Sequence, residues 1–275
     1  MARFIRKFFY WFFIGIFFII QIYPIFWLVA ASFRTQADLS LNPFGIPKSI
    51  TLVNYISVIT KSNVFLYMKN SAIVTAVSLL FILFLSSMAS FAISKMRFAL
   101  SRRVFDYFLL GLTIPTFITI IPLYLIYARL HLIDSYLGLI LPQVAFALPF
   151  SVLLFVNFFK YISNEILEAA FIDGCSIYRV YLSIIFPLSR NTVLTVLSMC
   201  FINVWNDYLF SLIFINSTWM KTATVGLQDF IGQHGATDWG ATFASICVTT
   251  LPTLIIYFAL NKRVSNGMTL GAVKE

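Results

Sequence analysis

The sequence predicts an all-α polytopic membrane protein with six transmembrane helices. Three observations lead there. Hydrophobic residues make up 60 % of the 275 positions and charged residues only 11 %, against roughly 25 % charged in soluble domains. The mean hydropathy is +0.92. The apolar residues are gathered in runs of about 20 or more, long enough for a helix to cross a bilayer and unlike the roughly 10-residue alternating strands of a barrel. In lipid, every spanning segment must satisfy its own backbone polar groups, which leaves the helix.

The chain opens with Arg3, Arg6 and Lys7, followed by an apolar run over 8–32. That run exceeds the roughly 7–15 residues of a signal-peptide core, so it reads as an uncleaved first span. The connection over 34–70 is the longest outside the spans. Pro43, Gly45 and Pro47 disfavour regular structure there. Ser49 to Tyr55 leads into an interfacial helix or a plain loop. Span two covers 71–93, where Ala72, Ala76, Ser78, Ser86, Ser87, Ala89 and Ala92 suit close helix packing. The basic cluster Lys95, Arg97, Arg102 and Arg103 follows. Span three covers 104–128 with Pro115 and Pro122, and span four covers 137–159 with Pro142 and Pro149. Span five covers 192–215 and span six 241–260. Between them lies a polar loop whose Trp219 and Trp239 suit a membrane interface. The whole chain, 1–275, is expected to be one transmembrane domain.

Six spans put both termini on one side. That side carries thirteen of the nineteen Lys and Arg residues. The positive-inside rule therefore places both termini in the cytoplasm of a multi-pass cell-membrane protein. The net charge of +9 is thus a topology signal, and no nucleic-acid partner is expected. Cys175, Cys200 and Cys247 are scattered and odd in number, which gives neither a disulfide framework nor a metal spacing.

The stretch 160–190 stands apart, because it puts Glu165, Glu168, Asp173, Lys160, Arg179 and Arg190 between two apolar spans. Ser163 can cap a short helix with Glu165 in its first turn. Glu168, Ala169 and Ala170 would give that helix a low surface for another protein. Asp173-Gly174 would break it, with Asp173 capping a second helix from near Cys175. The second helix would turn Ile177, Val180, Tyr181 and Ile184 toward the membrane domain and end before Pro187. The alternative is an ordinary loop lying on the bilayer.

Glu168-Ala169-Ala170-x-x-Asp173-Gly174, with Ile184 and Pro187 after it, resembles the EAA motif of ABC importer permease subunits. Residues 137–141, Trp205-Asn206-Asp207, Trp239-Gly240 before Ala244, and residues 267–274 are similar to the carbohydrate-uptake branch of that family, in particular to the shorter, maltose-transporter-type permease. The likeness covers nearly the whole chain. Three positions depart from it: Ser163 stands where proline is frequent, Cys175 where alanine is, and Phe186 where leucine is.

The resemblance implies the type I ABC importer permease fold with a cytoplasmic coupling helix. It implies a function as the membrane-spanning subunit of an ATP-driven importer for a sugar or oligosaccharide. The implied partners are a second, non-identical permease, two ABC ATPase subunits and an extracytoplasmic sugar-binding protein. Glu168, Ala169, Ala170, Asp173, Gly174 and Pro187 would then couple to an ATPase. Gly271, Ala272, Val273 and Lys274 would contact it from the tail, where a frayed terminus is the plainer reading. Asn203, Trp205, Asn206, Asp207 and Tyr208 are candidates for the solute pathway, with interhelical hydrogen bonding or a place near the outer interface as the alternatives. No G-x-x-x-x-G-K-[ST] loop occurs. This chain is therefore expected to bind no cofactor and perform no catalysis, with ATP and Mg on the partner ATPase. A same-fold importer of a polyol or glycerol phosphate ester is the alternative, and an ATPase-independent channel or carrier a more distant one.

Overall fold

The structure is a computed structural model. It describes the backbone of residues 2–96, 98–231 and 237–272, and the side chains of these up to residue 260 except at positions 2 and 5. The described residues are overwhelmingly helical. Two compact units form, one from Met1–Leu66 with Gly226–Leu251 and one from Tyr67–Val225 with Pro252–Glu275.

In the first unit, α1 (Ala2–Ser32) is a single helix passing through Pro24. Its spanning segment Arg6–Ser32 has none of its most apolar window buried. Only its C-terminal end packs within its own chain, where Trp27 meets Phe44 and Phe243 and Ala31 and Ser32 are buried; the rest, apolar all round, has lipid or another subunit as its surroundings. After it come α2 (Gln36–Leu41) and α3 (Val53–Lys61). The helix expected from 49–55 thus lies slightly later.

Arg34 organises the turn between α2 and α3. Its side chain is 1 % exposed, and all five of its N–H donors are used. One meets the Asp38 carboxylate at 2.6 Å, and the others meet the carbonyls of Asp38, Asn42, Pro43 and Gly45 at 2.7–3.2 Å. Arg34 beside Asp38 holds that carboxyl below the usual carboxylate range. The proline-rich loop is therefore ordered by a buried cation that the sequence offers only as one more positive charge. Asn54 of α3 donates to the carbonyls of Ser32 and Arg34 at 2.8 and 2.7 Å. Gly240, at the start of α14 (Trp239–Ala272), packs on that amide, and a Cβ there would lie 2.7 Å from it.

The second unit is built around α4 (Val64–Lys95) and α7 (Tyr136–Tyr161). The spanning helix α7 is the most buried, with Leu139, Val152, Phe155 and Phe159 all at 0 % exposure. Pro142 and Pro149 lie inside it without breaking it. On α4, Ser78, Ser86, Ser87 and Ser90 are fully buried, whereas Ala72 and Ala76 face outward. The hydroxyls of Ser86 and Ser87 return to carbonyls one turn back, and Ser90 reaches the Val152 carbonyl of α7 at 3.1 Å. Small residues on α4 do bring helices together, but it is the serines that face inward.

Among the described residues, four helices are long and apolar enough to cross a membrane alone, and six spans result if each of two bent pairs counts as one. The first bent pair is α5 (Ser101–Gly111) with α6 (Thr116–Arg129), at 95°. The break falls at Pro115, which has no N–H to donate into a continuing helix. The expected span over 104–128 is therefore two helices. The second pair joins Ile177–Leu188 to α11 (Arg190–Trp205) at 73°. Beyond α11, residues 206–208 interrupt the span expected over 192–215 before α12 (Leu209–Phe214). A short α13 (Ala223–Gly226) follows. Loops close onto helix ends through a few polar anchors. Asn70 donates to the carbonyls of Trp219 and Lys221 at 2.8 and 2.9 Å and accepts from Tyr136 at 2.7 Å. Asp134 accepts the amides of Asn216 and Ser217 at 3.1 and 3.0 Å.

Candidate functional site: a docking arm and a cavity

The polar insert folds as an arm of short helices. The first, α8 (Asn164–Ile172), starts where Ser163 accepts a hydrogen bond from the Glu165 amide at 3.2 Å. It ends at Gly174, whose φ of +78° lies in the left-handed region. The Gly174 amide bonds the Phe171 carbonyl at 3.0 Å, and the Cys175 amide bonds the Ala170 carbonyl at 2.9 Å. This pair of bonds is the Schellman closure, which favours glycine at the left-handed position. Asp173 therefore terminates α8, and Ser176 caps the next helix by accepting from the Arg179 amide at 3.4 Å. The expected capping of the second helix by Asp173 is corrected: glycine at the left-handed position uses Asp173 as the closing residue of α8.

The second part of the arm runs through α9 (Ile177–Val180), a π-helical turn at Tyr181–Ile185 and α10 (Phe186–Leu188). It passes through Pro187 instead of ending before it. In the π turn the Phe186 amide bonds the Tyr181 carbonyl, one residue further back than in an α-helix. The wider turn sits directly before a residue that has no N–H and whose ring would crowd the preceding turn. Val180, Tyr181 and Ile185 face the core, while Ile177 and Ile184 are half-buried.

Two contacts tie the arm to α4. The Tyr181 and Ser87 hydroxyls are 2.7 Å apart, and the Tyr181 ring lies 5.3 Å from that of Phe91. Lys95, the last residue of α4, donates to the Ile162 carbonyl and, at 3.1 Å, to the Asn164 side chain. Leu167 and Ala170 are buried beneath α8, so Ala170 serves the arm's own packing. Glu168, Ala169, Asp173 and Gly174 are exposed. Beside them Ile172 is 86 % and Tyr178 73 % exposed. The arm thus has a packed underside and an outer face that carries both acid and apolar groups.

Trp205, Asn206 and Asp207 make the break between α11 and α12. Asp207 accepts from the amides of Phe210 and Ser211 at 3.3 and 3.1 Å and from the Ser211 hydroxyl at 3.0 Å. Its carboxylate is thus engaged in starting α12. Asn206 donates to the Ile202 carbonyl at 2.9 Å. Trp205 is buried and stacks on Phe201 at 5.7 Å, so its faces are covered by its own chain. Tyr208 is partly exposed at 44 %. Asn203 differs from all of these. It lines a cavity of about 290 Å³ together with Thr116, Gln143, Phe146, Phe150 and Phe210, among others. Of the five residues, only Asn203 reaches this cavity. In the tail, the backbone is helical through Gly271 and Ala272, while the Ala272 side chain, and all of Val273 and Lys274, lie outside the described residues.

Residues 82–269 match the family of binding-protein-dependent transport system inner membrane components. The chain belongs to this family. The permease is 36 % identical over 266 residues to an ABC transporter permease protein, ORF2, of Caldicellulosiruptor sp. strain Rt8B.4, covering 96 % of each chain. It is 31 % identical over 259 residues to the trehalose/maltose transport system permease protein MalG of Thermococcus litoralis, covering 93 % of this chain and 92 % of the relative. Its fold is similar to a chain from the crystal structure of a bacterial ABC transporter involved in the import of the acidic polysaccharide alginate. That likeness has a TM-score of 0.79 and 20 % identity, and covers 91 % and 93 % of the two chains. The permease is therefore a multi-pass membrane transport subunit of the ABC importer class.

Several residues of these sites carry no signal in the permease sequence. Lys95 reads as one member of a basic cluster, yet it holds the start of α8. Ser87 reads as a small packing residue, yet it holds Tyr181. Gln143, 8 % exposed inside α7, is the only glutamine in any of the predicted spans except Gln21. With Asn157 it is one of two amides in the run 137–159, which is the weak signal that could have drawn attention to it.

Proposed function

We propose that this permease is the membrane-spanning subunit of an ATP-driven importer for a sugar or oligosaccharide. It forms the translocation pathway with a second, non-identical permease. Two ABC ATPase subunits on the cytoplasmic side bind ATP and Mg and carry out hydrolysis. An extracytoplasmic binding protein delivers the solute. Both termini and the arm over 160–190 lie in the cytoplasm, in keeping with the excess of Lys and Arg on that side.

The observation that carries this reading is the two-sided arm. Its underside is fixed to α4 by Tyr181 and Lys95. Its outer face leaves Glu168, Ala169, Ile172 and Tyr178 uncovered. Apolar groups this exposed on a polar arm suit a protein partner. An arm held rigidly to a spanning helix passes a push from that partner into the membrane domain. Transport is then a coupling between two equilibria: ATP and the loaded binding protein favour the same state. The carbohydrate assignment rests on the kinship with the trehalose/maltose permease.

The test is uptake of labelled mono-, di- and trisaccharides, polyols and glycerol 3-phosphate. Cells with the gene, without it, and with Ile172→Asp or Gly174→Asp are compared. Loss of uptake of one saccharide in the deletion and at least a tenfold drop in both variants, with the permease still in the membrane, is the expected result. The Ile172→Asp change is at a position with no packing role, so its loss of uptake reports on the outer face. Unchanged uptake in Ile172→Asp would remove the arm from the coupling route. Unchanged uptake of every saccharide in the deletion would remove carbohydrate.

A further inference from the structure

We propose that Asn203, Gln143 and Thr116, set among Phe146, Phe150 and Phe210, form a subsite on this chain for one ring of a neutral sugar. The inference rests on the import reading above and names the chemistry this subunit would recognise. All six residues line one cavity within the second unit. Its volume of about 290 Å³ is the room of about ten waters at about 30 Å³ each. That admits one six-membered ring with a few bridging waters.

The lining has two kinds of group. Sugar hydroxyls need paired donors and acceptors, and each amide of Asn203 and Gln143 supplies both, with the Thr116 hydroxyl a third such group. The C–H faces of a pyranose are apolar and lie well on aromatic rings. Phe146 and Phe150 are half-buried and provide such faces, with Phe146 backed by the buried Phe210 at 5.6 Å, which in turn stacks on Phe214. The amide of Asn203 has no hydrogen-bond partner among the described residues, and the residue is exposed. An amide within a spanning region needs a partner, because lipid offers none. Water or a hydroxylated solute in the cavity supplies it.

Charge then narrows the class. None of the lining residues is ionisable in the positive sense, and no Lys or Arg is among them. A phosphate ester would lose its hydration with no cation to replace it. The cavity fits a neutral ring and opposes glycerol phosphate esters.

The experiment uses the whole transporter with its partner subunits, reconstituted in vesicles. Uptake per assembled complex is measured for Asn203→Ala, Asn203→Gln and, two turns away on the same helix and outside the cavity lining, Thr195→Ala. Loss of one hydrogen bond to a neutral group corresponds to roughly tenfold at its upper end. Asn203→Ala should lower sugar uptake by up to that factor, Asn203→Gln should recover part of it, and Thr195→Ala should match the wild type. In parallel, Asn203→Cys is made with the native cysteines replaced, and its alkylation by N-ethylmaleimide is timed with the loaded complex held by a non-hydrolysable ATP analogue. Saccharides from the panel should slow alkylation severalfold, and glycerol 3-phosphate should not. Wild-type uptake in Asn203→Ala, or alkylation that no saccharide slows, overturns the subsite. If the wild-type transporter moves no saccharide, the import reading fails first. Protection of the same thiol by a different transported solute then overturns the neutral-ring assignment separately.

Discussion

Asp134 shows how much one side chain holds in the short link between α6 and α7. Its φ of 59° is left-handed, a conformation that aspartate tolerates better than most residues. Partial burial would raise its pKa, but the Ser217 side chain and the amides of Ser217 and Asn216 outweigh this and hold the carboxyl below its usual range. The charged form is therefore favoured more in the folded than in the unfolded chain. A lowered folded pKa contributes stability above the unfolded value of about 3.9, and the contribution is lost as pH falls through the folded pKa. Because the carboxylate is largely solvated, the effect is on the order of 1 kcal/mol. Asp134→Asn keeps acceptors for both amides but removes the charge. Thermal melts of the purified complex should show the wild type ahead of Asp134→Asn at pH 7 and the gap closing below pH 4. A gap that stays constant with pH would mean the charge has no part in it.

At the scale of elements, the joint between α4 and the arm is the most consequential. Tyr181→Phe removes the hydroxyl that meets Ser87 and leaves the ring against Phe91. Ser87 keeps its bond to the Leu83 carbonyl, so no buried donor is stranded. The expected cost is about 1 kcal/mol, with uptake falling two- to fivefold while ATP hydrolysis becomes less dependent on the loaded binding protein. Equal uptake and unchanged coupling in Tyr181→Phe would assign the pair to packing alone. The existence of this element was legible in sequence, because Ser163 and Gly174 each carry a local physical reason to start or stop a helix. The choice between Asp173 and Ser176 as the second cap was not. Both residue types cap well, and only the left-handed Gly174 between them decides which helix Asp173 belongs to. The joint itself was beyond reach, because Ser87 and Tyr181 are 94 positions apart. The break at 206–208 was hidden for another reason: Leu209–Phe214 continues the apolar run, so hydropathy alone reads straight through it. In the candidate cavity, Asn203 stood out as a polar residue in a span. Thr116 and Gln143 join it only through the packing of α6 and α7 against α11.

For the whole molecule, the testable quantity is sidedness. Tyr178 sits exposed on the arm and Trp219 exposed in the loop before α13. With the native cysteines replaced, Tyr178→Cys should react with an impermeant maleimide only in inside-out vesicles, and Trp219→Cys only in right-side-out ones. Reaction of both from the same side would overturn the orientation. The serine-lined face of α4 has a bearing on how this molecule can change over generations. The hydroxyls of Ser86, Ser87 and Ser94 are bonded to their own helix, and the Ser78 hydroxyl has no partner among the described residues. At Ser78 and Ser86 what the neighbouring helices require is therefore smallness and not polarity. Drift from serine to alanine at these two positions is nearly free, while any branched residue is closed off. At these two positions the face can lose its chemistry without losing its shape, and descendants of this chain should vary there in composition at almost constant volume.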